Sequence, residues 1–133
     1  MPFETFKRQR PPVSPEPALT IQKRGTLSLN AAAYEALDSP EGIELLYDRD
    51  ERLIGLRKIA PTVDHAYVVR PLGRGGTNWL ISGRSFTRFY GIPTEPARRW
   101  LARTDGDMLV VDLKEPGTEV VGARSRDRAA SLG

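Results

Sequence analysis

The chain contains no cysteine, a single histidine and no long apolar run. Without cysteine it can form neither a disulfide framework nor a cysteine-ligated zinc site, and this composition fits a reducing compartment. The first residues, MPFETFKRQRPPVSPEP, have no apolar core of the kind that a secretory signal needs. No stretch approaches the roughly 20 apolar residues of a membrane-spanning helix. We therefore expect a cytoplasmic protein that does not enter a membrane.

The sequence shows no arrangement of residues that supports catalysis. His65 follows Asp64 in a connector near proline, without the partners that a general base would need. Carboxylates occur in pairs at predicted hairpin turns, namely Asp48 with Asp50 and Asp105 with Asp107. There they favour the turn, and they lack further ligands for a metal ion. We predict a protein that is not an enzyme, with no catalytic residue, metal or cofactor.

The glycine-rich segment LGRGGTN (72–78) offers a second kind of site. Successive backbone amides in such a loop can form an anion-binding nest. The segment lacks the Gly-Lys-Ser/Thr ending of a phosphate-binding P-loop. A hinge between two folded units is the interpretation that we favour.

The formal net charge of +3 is unevenly distributed. Residues 1–24 contain five basic and two acidic groups, and residues 25–60 contain four and seven. Residues 61–113 contain seven and five, and residues 114–133 contain four and three. The first folded segment is therefore acidic, whereas the start of the chain and the second segment are basic. This balance permits an acidic partner such as nucleic acid without requiring one.

Both ends of the chain differ in composition from the middle. The beginning is rich in proline, which lacks an amide donor and cannot join a regular strand ladder. The end is small, polar and charged, which is typical of a flexible tail. We divide the chain into a disordered, basic, Pro-rich arm (1–18), a first unit (19–60), a connector (61–77), a second unit (78–113) and a flexible tail (114–133).

The first unit has the pattern of a strand, a short helix and a hairpin. In the predicted strand 19–30, apolar Leu27 and Leu29 alternate with polar residues, as in a half-buried strand. Asn30 is a good N-cap for a helix of about two turns, which the segment Asp38-Ser39-Pro40 ends. Two alternating runs around a turn at residues 49–51 then predict a hairpin.

The second unit repeats this pattern. Leu80 follows Leu27 by 53 positions, and Tyr90 follows Leu37 by the same interval. The predicted hairpin turns, at Asp50 and Asp105, are 55 positions apart. Such an offset over a whole strand–helix–hairpin pattern indicates an internal repeat. The sequence therefore predicts a β-rich α+β fold made of two β-α-β-β units.

The stretch GTLSLNAAAYEALDSPEGIELLYDRDERLIGLRKI resembles the SpoVT-AbrB family of swapped-hairpin DNA-binding domains, and the second unit is similar to that family too. Gly25 and Leu27-Ser28-Leu29 fit the family's opening strand, and Leu37 fits the end of its helix. Asn30 stands where the family has proline, and Asp38 replaces its helix-ending glycine. The resemblance implies a small AbrB-like β-barrel with interleaved hairpins, built as an intertwined homodimer or larger assembly. The two units can pair with each other or with another chain.

The resemblance also implies double-stranded DNA as the partner of a transcriptional regulator or architectural factor. Arginine and lysine suit this role because duplex phosphates are densely charged and the guanidinium fork can bind phosphate or guanine. The candidates by position are Lys23, Arg24, Arg49, Arg52, Arg84, Arg88, Arg98 and Arg99, with Arg74 in the connector. Their alternative role is solvated surface. Because the first unit is acidic, we expect the second unit and the arm to face DNA.

Two further functions are compatible with the sequence. A protein-interaction module, such as an antitoxin, would wrap a partner protein with its arm or tail, and the acidic first unit favours this. A binder of single-stranded nucleic acid would stack bases on aromatic rings around Trp79 and Trp100. The alternative role of those rings is the core of the second unit. The aromatic residues concerned are Trp79, Phe86, Phe89, Tyr90 and Trp100.

Overall fold

The computed structural model describes residues 16–73 and 77–120. The elements are β1 (Ala18–Ile21), β2 (Leu27–Asn30), α1 (Ala31–Ala36), β3 (Gly42–Asp48), β4 (Leu53–Lys58), β5 (Tyr67–Val68), β6 (Arg70–Pro71), β7 (Asn78–Ile81), α2 (Arg84–Phe89), β8 (Arg98–Asp105), β9 (Met108–Asp112) and β10 (Thr118–Glu119). The predicted disordered arm up to residue 15, the tail from residue 121 and Arg74 lie outside the described residues.

The strands form one antiparallel sheet that nearly closes into a barrel. Its order is β5-β3-β4-β9-β8-β1-β2-β7-β6, with β10 beside the start of β8. The two strands at the ends of this order, β5 and β6, are separated in the chain only by Val69. The chain therefore passes directly from one end of the sheet to the other. The prediction of a β-rich protein with a small barrel and few helices is confirmed.

The predicted single strand over residues 19–30 is wrong, because it is a hairpin of β1 and β2. Leu19 pairs with Leu29 across the hairpin. The turn is closed by two backbone hydrogen bonds of 2.8 Å, from Gln22 N to Thr26 O and from Gly25 N to Gln22 O. Gly25 has a φ of 90°, which an L side chain rarely adopts. The glycine thus reverses the chain within the polar residues 22–26, which separate two short apolar alternations.

The predicted start and end of the first helix agree with the structure. The side chain of Asn30 accepts a hydrogen bond of 2.9 Å from Ala33 N, so it caps α1. The helix ends at Ala36, and Asp38 then adopts a φ of 61° before Pro40. Ala33 and Leu37, four positions apart, are buried on the same side.

The same order of elements occurs twice in the chain. The helices begin at Ala31 and Arg84, which are 53 positions apart, and have equal length. The return strands begin at Leu53 and Met108, which are 55 positions apart. Strands of the two units pair with each other, because β2 is hydrogen-bonded to β7 and β4 to β9. The two units are therefore interleaved in one sheet.

Some short strands lie where the sequence predicts none. The predicted connector contains β5 and β6, and the predicted tail contains β10. Each of these strands has two residues, which is too short to show a periodicity. β6 pairs with the nearby β7, whereas β5 and β10 pair with β3 and β8, so these two depend on contacts more distant in the sequence.

The core takes side chains from both units. Trp100 is buried, and its indole Nε1 donates a hydrogen bond of 2.9 Å to Glu115 O. This bond satisfies the polar group that a buried indole brings with it. In the part of the chain that the structure describes, no helix is long and apolar enough to cross a membrane. The fully buried apolar side chains include Leu19, Ile21, Leu27, Leu29, Ile43, Ile54, Leu56, Ile81, Leu109 and Val111.

Candidate nucleic-acid interface

Helix α2 packs against the turn between β1 and β2. A Cβ atom at Gly25 would lie 2.7 Å from Thr87 Oγ1 and 3.2 Å from Arg84 Cα. Thr87 is buried, and its hydroxyl donates to Arg84 O at 3.0 Å. Thr94, just beyond the helix, donates to Lys23 O at 3.1 Å. The close approach at Gly25 holds Lys23 and the neighbouring residue Arg24 beside α2.

The turn between β3 and β4 contacts the end of the same helix. The guanidinium carbon of Arg49 lies 4.8 Å from the ring centroid of Tyr90 and 5.8 Å from that of Phe89. A cation over an aromatic face is attracted by the ring's quadrupole, whose negative potential lies above the face. Tyr90 also contacts Tyr47, with ring centroids 4.7 Å apart, and Phe86, at 5.2 Å. This aromatic cluster connects α2 to the hairpin of the first unit.

Two turns of the first unit and the helix of the second therefore contribute to one exposed surface. We call it the α2 face. It consists of Lys23, Arg24, Arg49, Arg84, Arg88 and Phe89, all of which are exposed. Arg84 and Arg88 are four positions apart and lie on one side of the helix.

Among the residues that the structure describes, the cations of the α2 face have no carboxylate partner. None of them lies within 4.0 Å of a carboxylate oxygen among the described residues, where the ion pairs engage Arg57, Lys58, His65 and Lys114 instead. Exposed cations without an acidic partner are available to an anionic ligand. The structure thus separates basic residues that form ion pairs from the basic residues of the α2 face, which form none among the described residues.

Acidic residues border the α2 face at one side. Asp48 Oδ1 accepts hydrogen bonds of 3.0 Å from Asp50 N and Glu51 N, so it shapes the turn that holds Arg49. Glu51 forms an ion pair with Lys114 at 3.3 Å. Asp50 is exposed next to Arg49. The carboxylate of Asp50 therefore weakens the positive potential at this end of the surface.

Among the described residues, three further predicted DNA-binding arginines lie outside the α2 face, namely Arg52, Arg98 and Arg99. Arg52 and Arg98 line a cavity of about 220 Å³ together with Trp100 and two glutamates. Arg98 Nη1 donates to Pro116 O at 3.1 Å. Arg99 is exposed on β8, opposite Thr20 of β1. These three arginines therefore have surroundings different from those of the α2 face.

The aromatic residues near the arginines are mostly packed. Phe86 and Trp100 are buried, and Trp79 stacks on Tyr34 with ring centroids 3.9 Å apart and planes at 4°. Phe89 differs, because 72% of its surface is exposed.

The sequence contains a signal for the exposure of Phe89. Gly83, Phe86, Thr87 and Tyr90 have the i, i+3, i+4, i+7 spacing of a buried helix face. Phe89 falls outside that set. Because Phe89 was grouped with the other aromatic residues, its exposure was not predicted.

His65 lies beside the cross-strand ion pair that Glu44 forms with Arg57. Its Nε2 lies 3.4 Å from Glu44 Oε1, while Glu44 Oε2 accepts a hydrogen bond of 3.0 Å from Arg57 Nε. The hydrogen bond from Arg57 lowers the pKa of Glu44 below its ordinary value and raises the pKa of Arg57. Within residues 16–73 and 77–120, no group of three or more His, Asp or Glu side chains could hold a metal ion. The surroundings of His65 are those of a surface ion pair.

Comparisons of the chain with protein-family models, with curated proteins and with solved structures found no match. The resemblance to the SpoVT-AbrB family therefore stays a prediction from the residues quoted above. The function proposed below is therefore based on the geometry of the α2 face.

Proposed function

We propose that this protein binds duplex DNA through the α2 face and acts as a transcriptional regulator or an architectural factor. The observation that carries the proposal is the convergence of five exposed cations, from three separate parts of the chain, around one short helix. None of the five forms an ion pair with another described residue. A duplex presents one phosphate charge for about every 1.7 Å of its axis, so such a surface matches it in charge.

The shape of the α2 face suits the surface of a duplex. Helix α2 has six residues and is therefore about 9 Å long. A helix of this length is short enough to enter the major groove end-on, with the flanking turns at the phosphates. In this arrangement Lys23, Arg24 and Arg49 contact the backbone and fix the orientation. Arg84 and Arg88 lie closest to the base edges, where bidentate arginine contacts discriminate guanine.

We also propose that the two units form, within one chain, the counterpart of a swapped-hairpin dimer. The ladders between β2 and β7 and between β4 and β9 support this, because each unit supplies a neighbouring strand to the other. Further self-association into a homodimer stays a prediction. Gel filtration with light scattering tests it, since a single-chain mass would mean that one chain is sufficient for the fold.

The proposed function is tested by fluorescence anisotropy with a labelled duplex and a single strand of the same length, across a series of salt concentrations. We expect the duplex to bind more tightly. The logarithm of the affinity should fall linearly with the logarithm of salt concentration, with a slope of about −4.5 if all five cations neutralise a phosphate.

Three other outcomes would contradict the proposal. Tighter binding of the single strand would favour base stacking over duplex recognition. Binding that does not depend on salt would mean that the cations do not contact phosphates. Absence of binding to either probe at low salt would set DNA aside, and a pull-down for a protein partner, as expected of an antitoxin, would follow.

A further inference from the structure

Phe89 is the exposed apolar centre of an otherwise cationic surface. Among the described aromatic side chains it alone is exposed, whereas the others are buried or half-buried. A single exposed apolar side chain is common in proteins and needs no explanation by itself. What distinguishes Phe89 is its setting, because Arg88 precedes it on α2 and the Arg49 guanidinium lies 5.8 Å from its ring centroid.

The ring of Phe89 packs on one side against the aromatic cluster around Tyr90. It meets the ring of Tyr90 edge to face, with centroids 4.9 Å apart and an angle of 87° between the planes. Tyr90 in turn packs on Tyr47 and on the buried Phe86. An exposed side chain that is already fixed loses little conformational entropy when it is buried by a ligand. Phe89 therefore has the preorganisation of a contact residue.

We propose that Phe89 acts as an apolar wedge that enters a base step of the bound duplex from the major-groove side, where α2 lies, and partly unstacks it. This inference rests on the proposed function. The cations around Phe89 would hold the phosphates on either side of the opened step, which offsets the cost of unstacking. Pyrimidine–purine steps unstack most easily, so the protein is a DNA-bending factor that prefers duplexes containing such steps.

The charge of its surroundings favours nucleic acid over a protein as the occupant of this position. A protein partner would have to bring carboxylates for Lys23, Arg24, Arg49, Arg84 and Arg88 around an apolar pocket for one ring. A duplex offers regularly spaced phosphates next to the flat apolar faces of its bases. One ligand thus satisfies both kinds of chemistry on the α2 face.

The wedge is tested with two duplexes of equal length and composition, one with alternating T-A steps and one with an uninterrupted A-tract. In both, several adenines are replaced by 2-aminopurine, whose fluorescence rises when it is unstacked. The wild-type chain should bind the alternating duplex about tenfold more tightly than the A-tract duplex and raise its fluorescence.

Three variants distinguish the contribution of the Phe89 ring from that of the surrounding cations. Phe89→Ala should remove most of the preference and the fluorescence rise while leaving the salt slope unchanged, because it removes no cation. Phe89→Leu keeps an apolar side chain of reduced size and should retain part of both. Leu101→Ala, at a side chain on β8 that is 53% exposed, is the matched control and should behave like the wild type.

The outcomes distinguish the wedge from the proposed function. If the wild type binds no duplex in a salt-dependent way, both fail. If it binds with the expected slope and Phe89→Ala has the preference and fluorescence of the wild type, the wedge alone is wrong. If Phe89→Ala instead lowers the mass measured by light scattering and leaves DNA binding unchanged, Phe89 contacts a second copy of the chain and the wedge is again overturned.

Discussion

Helices α1 and α2 have the same length and the same place in their units, but opposite surface chemistry. At the interval of 53 positions, Ala31 corresponds to Arg84, Glu35 to Arg88 and Ala36 to Phe89. Ala33 and Phe86 are buried and apolar at corresponding positions, although α2 also buries the polar Thr87. The inward apolar position is therefore shared by the two helices. The outward positions are free to differ, and only α2 uses them to present positive charge.

The largest effect is expected from reversing the charge of α2. The double variant Arg84→Glu, Arg88→Glu should bind duplex DNA at least about a hundredfold more weakly and reduce the magnitude of the salt slope by about 2, because two phosphate contacts are replaced by repulsion. Anisotropy measures both quantities. The matched control is Arg99→Glu, Arg103→Glu, which makes the same charge change at exposed residues of β8.

The converse substitution tests whether two arginines on a short helix are sufficient without the flanking turns. Ala31→Arg with Glu35→Arg gives α1 the two arginines of α2 without the flanking basic turns. We expect this variant to improve binding by no more than about threefold, because added charge without oriented neighbours contributes only to nonspecific attraction. An affinity lost equally in the β8 control would mean that net charge, rather than the α2 face, determines binding.

The start of α1 predicts an effect on stability. Asn30 Oδ1 accepts hydrogen bonds from Ala33 N at 2.9 Å and Ala18 N at 3.0 Å, so this one side chain caps α1 and fixes β1. Asn30→Ala should lower the free energy of unfolding by about 2 kcal/mol, since both amides lose their acceptor. Urea denaturation measures it. Asn78→Ala, at the exposed asparagine paired with Asn30 across the strands, is the control, with an expected change below about 0.5 kcal/mol.

The two helix ends predict a smaller and opposite effect. Asp38 and Gly91 are again 53 positions apart and have φ values of 61° and 63°. Glycine adopts this conformation without strain, so Asp38→Gly should stabilise the protein by about 0.5 kcal/mol despite losing its exposed ion pair with Lys58. Gly91→Ala should destabilise it by about 1 kcal/mol. Thermal and urea unfolding of both variants check the signs. Equal losses in both would show that the backbone conformation does not govern these helix ends.

The smallest effect concerns the hairpin of the first unit. The Arg57 hydrogen bond lowers the folded-state pKa of Glu44 below 4.5. A carboxyl group of this kind contributes stability that is complete above its unfolded-state pKa and is lost as the pH falls through the lower folded-state value. Glu44→Gln should therefore lose less stability than the wild type on acidification below about pH 4.5. Urea denaturation at pH 7 and pH 3 measures the difference, with Glu35→Gln on α1 as control.

Local features of the fold were predictable because short-range chemistry fixes them. Asn30 as a cap, Asp38 to Pro40 as a helix end and Asp105-Gly106 as a turn all act within a few residues. The hairpin at Gly25 was missed because Leu27 and Leu29 keep the alternation phase of Leu19 and Ile21 across the polar residues 22–26. The order of strands depends on pairings such as β4 with β9, which no local pattern encodes.

The individual basic residues of the candidate site were predictable, and their grouping was not. Lys23, Arg49 and Arg84 come from distant parts of the chain, and only the packing at Gly25 and the aromatic cluster around Tyr90 brings them together. By contrast, Arg52 and Arg98 were chosen by the same reasoning and lie at the cavity beside Trp100. Sequence reasoning identifies charge but does not show which side of a barrel it occupies.

The interleaving of the units has a consequence for cutting the chain. A break between β6 and β7 would leave β2 in one fragment and its partner β7 in the other, and would separate β4 from β9 in the same way. Neither fragment could complete its own hydrogen-bonding ladders. Mixed together, the two fragments should assemble into one barrel. The chain is thus suited to serve as a split protein whose halves regain structure only by complementing each other.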